Sequence, residues 1–225
     1  MQKAWPHPIE GIIFDNDGLL LDTEGLYIIV LEQMVGRKIP WDLRRRLMGR
    51  TGPDASALLC HEMNIDEDPI HFLNRRDENL KSIFPTAKYF DGAVELVKEA
   101  KSRKLPIALA TSSNRGNFDI KSANKMDFYS LFDSIICGDE VQNGKPNPEL
   151  FLKSMEKLGI KDPKNVLVFE DAPFGVKAAN NAGMPVVQVP DPDLPKGSNE
   201  EVGAVPTVLL KSLRDFKFDM FDWKK

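Results

Sequence analysis

The chain has 225 residues, 42% hydrophobic and 28% charged, with 30 basic against 34 acidic side chains and a formal net charge of -4. That composition suits one large globular core with a smaller satellite unit, and its mild acidity speaks against nucleic acid as the main partner, which needs a basic stripe. No apolar run approaches the roughly 20 residues that cross a bilayer, and the start "MQKAWPHPIE" has no apolar stretch of the secretory kind.

The first apolar run, Ile9–Asp15, predicts a buried strand that stops on Asp15-Asn16-Asp17 and a glycine, Gly18. Side chains at i and i+2 of an extended chain share a face, so Asp15 and Asp17 are expected side by side, at an electrostatic cost. From about Thr23 to Phe84 the pattern turns helical, with no convincing strand. Leu26, Val30 and Met34 share a helical face, and Pro53 opens a helix ending near Asn64. Asp68-Pro69 reads as N-cap and first turn of another helix, with Ile70, Leu73, Asp77, Leu80 and Phe84 at helical spacing. Beyond it, strands are predicted at Pro106–Ala110, Ser134–Cys137, Asn165–Glu170 and Pro185–Val189, and more weakly in "PTVLL". Helical stripes lie between them: Ala93, Leu96, Val97 and Ala100, then Phe151, Met155 and Leu158, then Val176, Ala179 and Ala182 between Pro173 and Gly183. The segment "VPDPDLPKGSNEEVG" reads as a surface loop.

Alternating strands and helices imply an α/β fold, a doubly wound parallel sheet with right-handed crossovers. The helical interval is then a small bundle inserted after the first strand. The expected division is a core of residues 1–21 and 88–225 with a cap of residues 22–87, hinged near Asp22–Gly25 and Pro85–Gly92.

Ligands of such sheets bind beyond the carboxyl ends of the strands, and four strand ends here carry polar groups. They are Asp15 and Asp17, then Thr111-Ser112-Ser113-Asn114, then Lys145 in "NGKPNP", then Glu170-Asp171. Carboxylates converging with a lysine and hydroxyls read as a divalent metal with a phosphate beside it. Mg²⁺ takes oxygen ligands, typically one or two carboxylates plus water and phosphate, and Asp15 and Asp171 would supply that charge. Lys145 offers a fixed positive charge at the phosphoryl group. Thr111 and the amides following it, at a helix start, suit phosphate oxygens. Asp15 is the candidate nucleophile and Asp17 the candidate general acid and base.

The set Asp15-x-Asp17-Gly18, Thr111, Lys145-Pro146 and Glu170-Asp171-x-x-x-Gly175 resembles the four signature motifs of the haloacid dehalogenase-like hydrolases, helical cap included. Within that superfamily "GLLLDTE", "ALATSS", "GKPNPELFL" and "LVFEDAPFGVKAA" are similar to the pseudouridine-5′-phosphatase branch, near the sugar-phosphate phosphatases and β-phosphoglucomutases. The resemblance implies a Rossmann-like core and a phosphatase acting through an aspartyl-phosphate. It implies Mg²⁺ held by Asp15, the Asp17 backbone carbonyl and Asp171, with Glu170 close by or acting through water. It also places a substrate-reaching loop at "LMGRTG", making Gly49 and Arg50 candidate substrate-binding residues beside Ser112, Ser113 and Asn114. The expected partner is a small phosphorylated metabolite, a nucleoside or sugar monophosphate, bound by a monomer in the cytoplasm or nucleus without nucleic acid or membrane. A β-phosphoglucomutase-like isomerase is the alternative enzyme, and a non-catalytic binding protein on the same fold the alternative outside enzymes.

Plainer readings stand beside these. "NGKP" is a turn by chemistry and not a Walker A loop, since its glycine spacing is wrong. Arg44–Arg46 reads as a solvated helix face. His7, His61 and His71 lie outside the strand-end series and are expected to be structural, which leaves no serine–histidine–acid triad. Cys60 and Cys137 are expected as two free, buried thiols.

Overall fold

The computed structural model describes residues 3–47 and 50–224. Six strands form one parallel sheet: β1 (Gly11–Phe14), β4 (Ile107–Ala110), β5 (Ser134–Ile136), β6 (Val166–Glu170), β7 (Val186–Gln188) and β8 (Val208–Leu209), in the order β5-β4-β1-β6-β7-β8. All four residues of β1 are buried, as are all of β4 and β6, because helices cover both sheet faces. The pleat sorts neighbours onto opposite faces. Ile12, Phe14, Leu109, Leu167 and Phe169 enter one core cluster, while Ile13, Ala108, Ala110, Val166 and Val168 enter the other.

On the first face lie α5 (Ala93–Ser102) and the C-terminal aromatics Phe216, Phe218 and Phe221. On the second lie α8 (Glu149–Lys157) and α9 (Pro173–Ala182). The predicted stripe of α5 is buried at all four positions, and those of α8 and α9 are buried apart from the partly exposed Leu158. The fold class is thus the expected one. The strands are shorter than the apolar runs that announce them: Ile9 makes only an isolated bridge to Trp223, and Asp15 and Cys137 lie just past their strands.

An antiparallel ribbon, β2 (Leu21–Asp22) with β3 (Lys88–Tyr89), was not anticipated. Two-residue strands are too short to carry a period-2 pattern. Between its strands lie α1 (Glu24–Val35), α2 (Trp41–Leu47), α3 (Gly52–Glu62) and α4 (Pro69–Leu80). Thr51 caps α3 by accepting from the Asp54 amide, and Asp68 caps α4 by accepting from the Ile70 and His71 amides. These helices own a core of Leu31, Ile39, Leu43, Leu59, Cys60, Met63 and Phe72. The three arginines of α2 do not form a merely solvated face: Arg44 pairs with Glu32, Arg45 with Asp42 and Glu201, and Arg46 with Glu62.

On the core side, α6 (Arg115–Ser122) and α7 (Met126–Tyr129) follow β4, and α10 (Ser198–Val202) follows β7. The last corrects the surface-loop reading of that segment. Its five residues are too few to show a helical stripe, and glycines in left-handed geometry bound it at Gly197 and Gly203. Cys60 and Cys137 are free and buried, as expected. No helix among the described residues is long and apolar enough to cross a membrane.

Candidate active site

β1 lies between β4 and β6, so the chain winds away on both sides of it, and a crevice opens past its carboxyl end. Asp15 directly follows β1, Thr111 follows β4, Glu170 ends β6 with Asp171 next, and Lys145 comes from the loop between β5 and α8. The structure brings four of these together. Lys145 Nζ donates to Asp15 Oδ1 and Glu170 Oε1, each at 2.6 Å. Carboxylate oxygens of Asp15, Glu170 and Asp171 lie within 4.8 Å of one another. Exposures of 5% for Asp15, 1% for Glu170, 3% for Asp171 and 3% for Lys145 leave little water to solvate these charges.

Burial sets the electrostatics. It pushes the Asp15 carboxyl up to about 8, with Glu170 adding to the rise and Lys145 opposing it. Burial likewise holds Asp171 well above the usual carboxylate range, reinforced by Glu170 and Asp15. One ammonium cannot neutralise three crowded carboxylates. An oxygen-only donor set with surplus negative charge suits a hard divalent cation. Two glycines make room for the cluster. A Cβ at Gly18, whose φ is +90°, would strike the Asp171 carboxylate, and one at Gly175 would strike that of Glu170.

Asp17 stands in a second, separate group. Its Oδ1 accepts from Thr23 Oγ1 at 2.6 Å and from Lys121 Nζ; its Oδ2 accepts from Thr111 Oγ1 at 2.9 Å, Ser113 Oγ at 3.0 Å and Asn16 Nδ2 at 3.3 Å. Burial alone would raise its pKa, but Lys121 outweighs that, and with the Thr23 and Thr111 hydroxyls brings it down to about 2. The two aspartates are therefore not an uncompensated pair: each has its own buried lysine, Asp15 with Lys145 and Asp17 with Lys121.

Thr111 turns its hydroxyl to Asp17 and accepts the Ser113 amide at 3.0 Å. The helix after β4 starts later than expected, at Arg115, with Asn114 as N-cap accepting the Asn117 amide at 2.8 Å. Asn114 Nδ2 and Asn117 Nδ2 both donate to Asp77 Oδ2 of α4, at 3.2 and 2.8 Å. Ser112, Ser113, Asn114 and Arg50 line a cavity of about 500 Å³ between the strand ends and α1, α3 and α4. The Arg50 guanidinium lies 4.7 Å over the Phe174 ring, across the crevice. Gly49 lies outside the described residues. None of the three histidines lines the cavity.

Four features had escaped the sequence. Lys121 sits three residues after Phe118 on the buried face of α6, an anomalous place for a lysine and hence a signal. Thr23, at the N-cap position of α1, serves Asp17 instead of the helix. Asn16 is fully buried and accepts a 2.8 Å bond from the Tyr129 hydroxyl while donating to Asp17. Glu24, partly exposed at the cavity wall, is pushed up to about 7 by burial and the nearby Asp17. The last two rest on tertiary contacts that no local pattern encodes.

The family described as haloacid dehalogenase-like hydrolase matches residues 12–189. The chain belongs to that family. It is 39% identical over 218 residues to (DL)-glycerol-3-phosphatase 2 of Arabidopsis thaliana, covering 93% of this chain and 89% of that one. It is 36% identical over 216 residues to a Drosophila melanogaster protein named "Probable pseudouridine-5′-phosphatase", covering 93% and 92%. Among solved structures, a β-phosphoglucomutase from Clostridium difficile shares the fold with a TM-score of 0.79 at 23% identity, over 94% of each chain.

Proposed function

We infer that this hydrolase is an Mg²⁺-dependent phosphatase that cleaves a small phosphorylated metabolite through an aspartyl-phosphate on Asp15. The observation that carries the reading is the buried cluster of Asp15, Lys145, Glu170 and Asp171 at the floor of a cavity large enough for such a molecule. Asp15 attacks phosphorus and the ester C–O–P bond breaks on the oxygen–phosphorus side. Asp17, ionised while Lys121 and the hydroxyls hold its oxygens, has to take up a proton as the phosphate enters; it delivers that proton to the departing alkoxide, then takes one from the water that cleaves the acyl phosphate. Lys145 keeps Asp15 oriented and balances the charge building on the phosphoryl oxygens. Asp15, Asp171 and the Asp17 carbonyl, with Glu170 beside them, would hold Mg²⁺, which when bound neutralises the carboxylates and the phosphate together.

Residues 22–87 act in this reading as a cap over a core of residues 1–21 and 88–225, moving about the β2–β3 ribbon. Ser112, Ser113, Asn114, Gly49 and Arg50 belong to its substrate-facing surface. The Ser56 hydroxyl, buried at the cavity wall and without a hydrogen-bond partner among the described residues, favours a hydroxyl-bearing substrate. The names of the relatives point the same way, toward a polyol or nucleoside monophosphate. The test is orthophosphate release with Mg²⁺ across glycerol 3-phosphate, pseudouridine 5′-phosphate and common sugar phosphates. Release from at least one supports the reading. An isomerised sugar phosphate without orthophosphate would replace it with a mutase.

A further inference from the structure

Lys121 is fully buried, and all three of its ammonium protons are used. They go to Asp17 Oδ1, to Ser113 Oγ at 2.7 Å and to the Tyr27 hydroxyl at 2.9 Å. Two aromatic faces enclose the charge, Tyr27 at 4.9 Å and Phe84 at 4.6 Å, themselves packed edge to face at 5.3 Å. Ser113 relays the same contact to Asp17 Oδ2. The ammonium thus grips Asp17 directly through one oxygen and indirectly through the other, while its remaining contacts belong to α1 and to Phe84, beyond α4.

A buried ion pair gives little stability over an apolar pair of equal volume. What it does give is direction, because the donors fix where the carboxylate oxygens lie. We propose that Lys121 is a positioning residue for Asp17, setting the carboxylate's orientation for proton transfer and tying it to the helices above through Tyr27 and Phe84. The inference rests on the reading of Asp17 as the acid and base. Lys121 makes no hydrogen bond or ion pair to the Asp15–Lys145–Glu170–Asp171 cluster, so its effect on the reaction passes through Asp17 and through Ser113, which itself donates to Asp17.

The experiment uses leaving groups. Glycerol 3-phosphate leaves as an alkoxide that needs a proton, whereas p-nitrophenyl phosphate releases a stable anion that does not. With Mg²⁺ present, kcat/KM is measured on both for Lys121→Met, Lys121→Arg and Asp17→Asn. Lys121→Met is expected to lose about 100-fold on glycerol 3-phosphate, the scale of a misplaced catalytic group, and about tenfold less on the aryl ester. Asp17→Asn is expected to show the same split more strongly, and Lys121→Arg, which keeps the charge and shifts the donors, a weaker one. A split in Asp17→Asn with equal losses on both esters in the two Lys121 variants overturns the inference and leaves the role of Asp17 standing. No split in Asp17→Asn overturns that role and the inference with it. If Lys121→Met does not fold, Lys121→Arg decides alone by the presence or absence of its split.

Discussion

Lys145→Met tests whether charge, and not packing, is what this residue contributes. Methionine preserves most of the volume and the contact with Phe151, whose ring lies 4.9 Å from Nζ. It removes the cation that bridges Asp15 and Glu170 at 2.6 Å. The buried carboxylates must then bind one proton more than in the wild type. Keeping a carboxyl protonated above its unfolded pKa of about 3.9 costs about 1.4 kcal/mol per pH unit. At pH about 7.5 that is about 5 kcal/mol, and at pH about 5 only about 1.5 kcal/mol. For a chain of this size the corresponding falls in Tm are about 10–20 °C and about 3–6 °C. Thermal unfolding followed by circular dichroism, with chelator present at both pH values, reads the difference. Equal losses at the two would mean that Lys145 acts by filling space, and the electrostatic account of the cluster would be wrong.

Asp15→Asn should abolish turnover and leave no acid-quenched phosphoryl-enzyme in a labelled-substrate capture; normal phosphate release from this variant would remove Asp15 as nucleophile. In metal-free protein, Asp15 and Asp171 hold protons in the folded state that the unfolded chain has released, since both are raised above their ordinary values. Stability should therefore fall as pH rises from about 4 to about 8. Mg²⁺ should raise Tm more at the upper end of that window than at the lower, and a flat profile would contradict the raised carboxyls. Tyr129→Phe strips the Asn16 side-chain oxygen of its 2.8 Å donor inside the core; urea unfolding should show a loss of about 1–3 kcal/mol, and an unchanged midpoint would place that hydroxyl outside the stability of the site.

How legible all this was depends on range. β1, β4 and β6 could be read because sheet strands covered on both faces leave continuous apolar runs, and the helices flanking them because each buries a stripe at helical spacing. Asp15, Glu170 and Asp171 could be singled out because carboxylates at the ends of apolar runs contradict burial. The partner of Asp17 could not, because Lys121 lies 104 residues away in sequence and only the fold brings it near. Asn16 was opaque for the same reason: its role is defined by Tyr129, 113 residues on. The ribbon β2–β3 and the helix α10 escaped because each is shorter than the period that would reveal it.

The ribbon carries a meaning of its own. Leu21 pairs with Tyr89 and Asp22 with Lys88, so the chain departs and returns at one spot, after a detour of more than sixty residues. Lengthening, shortening or exchanging that detour moves no strand of the six-stranded sheet. Closing a longer loop costs little, about 0.6 kcal/mol for each doubling. The helical insertion can thus change in length at little cost while β1 keeps its register against β4 and β6, the strands whose ends carry the buried carboxylates and Thr111.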